Sequence, residues 1–104
     1  MVKVTFYTGE QGFARVSVKG HADFAPGGED IVCSGISSAV MLTANGITEI
    51  LGETAGVKLL ENEVDICLPA QPNPCAVAFL QALHLHATLL QQQYPKHITV
   101  TEVQ

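Results

Sequence analysis

The segment that most constrains the fold is residues 31–51, IVCSGISSAVMLTANGITEIL, in which apolar and small side chains fall on nearly every helical face before Gly52 supplies a stop signal. A helix of this kind cannot keep a polar side in water, so neighbours must cover it on several sides. Asp30, directly before it, reads as the N-cap. The rest of the chain provides what the helix lies on. Residues 2–8 alternate as V-K-V-T-F-Y-T, Gly9 to Gly12 form a turn, and residues 13–19 alternate again, which predicts a β-hairpin. Residues 57–60 and 64–68 flank Glu61, Asn62 and Glu63 as a second hairpin, closed by Pro69, Pro72 and Pro74. Asn73 as cap with Pro74 at the first helical position opens a second helix, with Val77, Leu80, Leu83, Ala87, Leu90 and Tyr94 at helical spacing up to Pro95. Residues 97–103 alternate as a terminal strand.

The predicted order is ββαββαβ, an α+β domain spanning residues 1–104, with two helices packed on one face of a mostly antiparallel sheet. A chain of 104 residues is too short for two ordinary domains. Charged residues make up 14% of it, against roughly 25% in an average domain, so uncharged groups cover much of the surface and an oligomer interface would account for them. The net charge of −5 and only five Lys and Arg argue against direct nucleic-acid binding. The N-terminus lacks the pattern of a signal peptide, and the longest apolar stretch is interrupted by Ser, Thr, Gly, Asn and Glu, which predicts a cytoplasmic chain without a membrane span.

Three cysteines, Cys33, Cys67 and Cys75, show no CxxC spacing, so neither a disulfide framework nor a thiolate zinc site is expected. His84 and His86 stand about 200° apart on a helix and cannot share one metal, so no metal or other cofactor is expected. Cys33 is placed in the first turn of the buried helix, where free N–H groups and the positive end of the dipole favour a thiolate or an oxyanion. Asp30 pulls the other way as a nearby carboxylate, which suits it to capping the helix or orienting a histidine. His21 lies twelve residues before Cys33, at the start of a Gly-rich loop from Gly20 to Glu29. If the loop returns to the thiol, the pair supplies a nucleophile and a general base for acyl transfer to water. Ser37, one turn beyond Cys33 on the same face, can hydrogen-bond a member of such a site. Gly20, Gly27 and Gly28 give the loop freedom to close over a peptide, and Phe24 is a candidate wall of an apolar subsite. The plainer reading makes Cys33 a small core residue, Asp30 a cap, Ser37 a packing residue and Phe24 ordinary loop packing.

The run GHADFAPGGEDIVCSGIS, from Gly20 to Ser37, resembles the signature of the bacterial ribosomal-processing cysteine proteases, the Prp or YsxB-like family. Asp23 departs from a position where a small residue is common in that family. The resemblance implies a homodimeric cysteine endopeptidase that removes a short N-terminal leader, after a phenylalanine, from the precursor of large-subunit ribosomal protein number twenty-seven. It implies His21 and Cys33 as the catalytic dyad and Asp30 and Ser37 as supporting residues. Two other readings stand beside it. One is a non-catalytic ribosome-assembly or protein-binding module. The other is a redox-sensing thiol protein, which needs a resolving partner such as Cys67, Cys75 or a second copy.

Overall fold

The computed structural model describes residues 1–20 and 28–104, without the side chains of residues 28–30. Its elements are β1 Val2–Gly9, β2 Gly12–Lys19, α1 Gly28–Asn45, a π-helical turn Gly46–Ile50, β3 Gly56–Leu60, β4 Glu63–Cys67, α2 Pro74–Gln93 and β5 Ile98–Val103. Five strands form one sheet in the order β3-β4-β2-β1-β5, antiparallel except where β5 runs parallel to β1. The ββαββαβ order and the mostly antiparallel α+β architecture are those expected from the sequence.

Strand alternation sorts the side chains between the two faces of the sheet. Val2, Val4 and Phe6 are buried on β1, and the register carries the same face across Val18 and Val16 of β2 to Val64 and Ile66 of β4. On the other side Val2 pairs with buried Ile98 of β5. Against this face α1 and its extension lay Val32, Ile36, Val40, Ala44 and Ile47, while α2 lays Ala76, Val77, Leu80, Leu83 and Ala87. A register shift between Tyr7 and Thr8 accompanies the turning of Phe13 onto the core face, where its ring centroid lies 5.1 Å from that of Phe6. His84 completes a three-ring cluster with them, edge-on to Phe6 at 4.9 Å and tilted on Phe13 at 5.0 Å, and its Nε2 lies 3.1 Å from the carboxylate of Glu102. That contact ties α2 to the edge strand β5, and His84 is half-buried by it while His86 is exposed.

The opposite face of the sheet is polar. The Arg15 Nε donates to both carboxylate oxygens of Asp65, at 3.0 and 3.1 Å, and the guanidinium sits 4.6 Å over the ring of Tyr7. The Asp65 hydrogen bonds raise the Arg15 pKa above its ordinary range.

Helix α1 departs from expectation at both ends. It opens at Gly28, inside the stretch expected to be loop, so Asp30 stands in its first turn and is not its cap. At the other end the α-helical pattern yields at Gly46, and the N–H of Leu51 reaches back five residues to the Gly46 carbonyl at 3.0 Å. Gly46 is required there by close approach, since a Cβ on it would lie 2.6 Å from the ring of Phe79 on α2. Gly52, at φ +66°, then turns the chain as expected. Helix α2 follows its predicted signals closely, with Asn73 capping through a 2.8 Å bond from the Cys75 N–H and Pro74 at its start.

The Gly46 contact gives a stability prediction. Gly46→Ala will lower stability by about 1–3 kcal/mol in a urea titration, because overpacking outweighs the gain in helix propensity. Phe79→Leu in the same chain will recover part of that loss, and a strictly additive double variant would show that the ring is not the cause.

Candidate active site

Cys33 is the buried cysteine of the three, with 8% of its surface exposed. It occupies the sheet-facing side of α1 beside Val32 and Ile36, and its Sγ lies 4.0 Å from the carbonyl oxygen of Gly20. Gly20 ends β2 at φ +82°, a left-handed conformation that a side chain would strain. Its N–H donates to the carbonyl of Asn62 in the β3–β4 turn at 3.0 Å. The end of β2, the β3–β4 turn and the N-terminal part of α1 therefore meet at one end of the sheet, and the thiol lies at that meeting point.

Because α1 begins at Gly28, Cys33 is its sixth residue and belongs to the second turn. The first-turn placement expected from Asp30 as cap does not hold. The N–H groups without an intrahelical acceptor are those of residues 28–31, and the helix-end charge acts on the thiol from one turn further away than expected. Gly28 is correspondingly part of the helix and not of a loop. Ser37 stands one turn after Cys33 on the same side of α1 and is half-buried. His21, Phe24 and Gly27, together with Asp23, lie outside the described residues, and so does the side chain of Asp30.

The other two thiols occupy different surroundings. Cys67 and Cys75 are exposed. Cys67 lies on the polar side of the sheet, in a shallow depression shared with Arg15, Lys58 and Asp65. Cys75 sits in the first turn of α2, with its N–H taken by the Asn73 cap. Among the described residues no three His, Cys, Asp or Glu side chains gather as a metal site would require. The chemistry open to the described site is that of a shielded thiol packed against a strand end.

A protein-family model described as cysteine protease Prp matches residues 1–99. The chain belongs to this family. The family is one of cysteine proteases. The fold is shared with solved structures. SMU.848 from Streptococcus mutans superposes with a TM-score of 0.89 at 24% identity, over 99% of this chain and 94% of that one. The essential ribosomal-processing protease Prp from S. aureus, in complex with a substrate peptide, superposes with a TM-score of 0.90 at 23% identity, over 98% and 99%. A hypothetical protein from S. aureus gives 0.77 at 16% identity, over 98% and 99%. A search of curated proteins returned no match.

The exposure of the thiols predicts their reactivity toward a bulky disulfide reagent such as DTNB. Cys67 and Cys75 will react in a fast phase, Cys67 first because Arg15 and Lys58 attract the anionic reagent, and Cys33 in a distinctly slower one. In denaturant all three will react together. Cys33→Ala will remove the slow phase alone, and loss of a fast phase instead would contradict the assignment.

Proposed function

We propose that the chain is a cytoplasmic endopeptidase that removes the N-terminal leader from the precursor of large-subunit ribosomal protein number twenty-seven, using Cys33 as nucleophile and His21 as general base. Family membership supports the class of reaction, and the S. aureus neighbour was solved with a substrate peptide in place. The observation that carries the residue assignment is the contact of the Cys33 Sγ with the carbonyl of Gly20. Gly20 is the residue directly before His21, so the backbone that bears the histidine starts at the thiol.

In the proposed mechanism His21 takes the thiol proton as Sγ attacks the carbonyl carbon of the leader's last residue, a phenylalanine. The C–N bond then breaks, and His21 returns that proton to the departing amine. Water, giving a proton to His21, attacks the thioester, the C–S bond breaks, and the leader leaves as a carboxylic acid while Sγ regains its proton. The N–H groups of residues 28–31 at the start of α1 are the donors offered to the oxyanion. In this reading Asp30 orients His21, Ser37 hydrogen-bonds a member of the site, and the segment from Ala22 to Gly27, ahead of α1, closes over the leader with Phe24 against its apolar side chains. The same reading carries a second copy of the chain as partner.

A peptide spanning a leader junction with Phe before the scissile bond, incubated under reducing conditions, tests this directly. Wild type will cut it after the Phe, while Cys33→Ala and His21→Ala will each lower the rate by at least about a thousandfold. An intact peptide with wild type, or cutting by Cys33→Ala, would remove the protease assignment in favour of a binding module.

A further inference from the structure

We infer that the bare face of the sheet, opposite the helix layer, is a docking surface for single-stranded RNA. The first observation is where the cations stand. The chain has five Lys and Arg, and four of them, Lys3, Arg15, Lys19 and Lys58, lie on strands of this one face. The register places Lys3 opposite Lys19, Arg15 between Tyr7 and Cys67, and Lys58 opposite Asp65, each one residue out of step with the buried core positions. The carboxylates that the strands set among them are Glu63 and Asp65. Asp65 is taken up by Arg15, and Glu63 stands 3.8 Å from Lys19. Lys3 and Lys58 are exposed and have no ion-pair partner among the described residues. Like charges directly opposite on neighbouring strands, as Lys3 and Lys19 are, destabilise a sheet, and an anion lying over them relieves that. A total of −5 averages over surfaces that differ, and this one is basic.

The second observation is a flat group held still in the middle of these charges. The guanidinium of Arg15 is gripped at its Nε by both oxygens of Asp65 and sits 4.6 Å over the Tyr7 ring, yet 42% of the side chain is exposed. Its orientation is fixed by the sheet before any ligand arrives. An ordered guanidinium plane is a surface on which an unpaired base stacks, and a stacking platform among cations that follow a backbone is the usual construction of a single-strand site.

The third observation is what the face lacks. Both helices pack on the other side, so no described element lies over this one. Its exposed apolar side chains, Leu60 and Val103, stand on the two outermost strands, with charged and hydroxyl groups such as Thr5, Thr99 and Thr101 between them. An acidic protein segment would need central apolar pockets for its anchors, and the three inner strands supply none. A phosphate chain needs cations and hydroxyls alone. From Lys58 on β3 to Lys3 on β1 is three strand spacings, about 14 Å, which suits a short site of about four nucleotides. RNA is preferred to DNA because precursors of ribosomal proteins are made and assembled among RNA. That preference rests on the function proposed above, whereas the basic face and its platform do not.

The test is the fluorescence anisotropy of a labelled, unpaired RNA of about 12 nucleotides, titrated with the full chain. Wild type will bind with a Kd of about 10–100 µM at ~20 mM salt, and tripling the salt will weaken binding about tenfold, as about three phosphate contacts on a single strand require. Lys3→Gln and Lys58→Gln will each weaken it about fivefold and flatten the salt dependence. Lys96→Gln, the cation off this face, will leave it within about twofold. Arg15→Lys keeps the charge but not the plane, and will weaken RNA binding about tenfold while leaving the binding of inorganic polyphosphate unchanged. Circular dichroism checks that each variant is folded, and the exposed Lys3 and Lys58 variants decide the matter if Arg15→Lys is not. Absence of binding by wild type at about 200 µM protein and low salt would overturn the inference. So would Lys3→Gln and Lys58→Gln behaving as Lys96→Gln does, a folded Arg15→Lys that binds RNA like wild type, or tighter binding to polyglutamate, anionic vesicles or a matched DNA strand. Cutting of the leader peptide is a separate readout: its failure removes the protease assignment and the preference for RNA over DNA, and leaves these binding outcomes to be read as they stand.

Discussion

Everything at the thiol depends on how the chain leaves β2 at Gly20. That residue takes a left-handed conformation, donates its N–H to Asn62 across the sheet, and presents its carbonyl to the Cys33 Sγ. Three elements distant in sequence are held by one residue, and the positive φ is why glycine stands there. A β-branched or bulky residue at this position would have to rotate out of the left-handed region and would carry the carbonyl away from the sulfur. The turn is therefore a positioning device for the thiol as well as the exit of a strand.

The depth of Cys33 follows from the same architecture. Helix α1 must bury Val32, Ile36 and Val40 against Val18 and Val64, and Cys33 shares that stripe. Placing a thiol on the core side of a helix removes it from bulk water and from incidental oxidants. Cys67 and Cys75 lack that protection, which sets both apart from Cys33.

Much of this was legible in the sequence, and the parts that were not have physical causes. The hairpins, the Asn73-Pro74 start of α2 and the stop at Gly52 were readable because each rests on local rules: alternation, capping and positive φ. The strand order was not, because the parallel pairing of β5 with β1 is a long-range contact that leaves no local mark. The start of α1 was misplaced by three residues because Gly28 and Glu29 carry no apolar periodicity, and Asp30 is as acceptable in a first helical turn as at a cap. The π-helical turn was invisible for a similar reason: Gly46 looks like any helix glycine until the Phe79 ring is seen against it. Around the thiol, the helical spacing that sets Ser37 one turn from Cys33 was legible, whereas the carbonyl of Gly20 against the thiol had only one sequence signal, a glycine directly after an alternating strand.

The helix that opened the sequence reading had to be covered on several sides, and the fold covers it on only some of them. The sheet takes one side of α1 and α2 takes another, yet Ile31, Met41 and Leu42 remain in solvent. A two-layer fold has no third layer to place over its helices. The sequence could have resolved this with Lys and Glu on the outward positions, as most surface helices do, and along both helices it does not. A charged outward stripe would have been compatible with the fold, so the packing of the two helices on the sheet does not by itself account for the apolar one. That argument concerns the surface alone and would hold for any chemistry at the thiol.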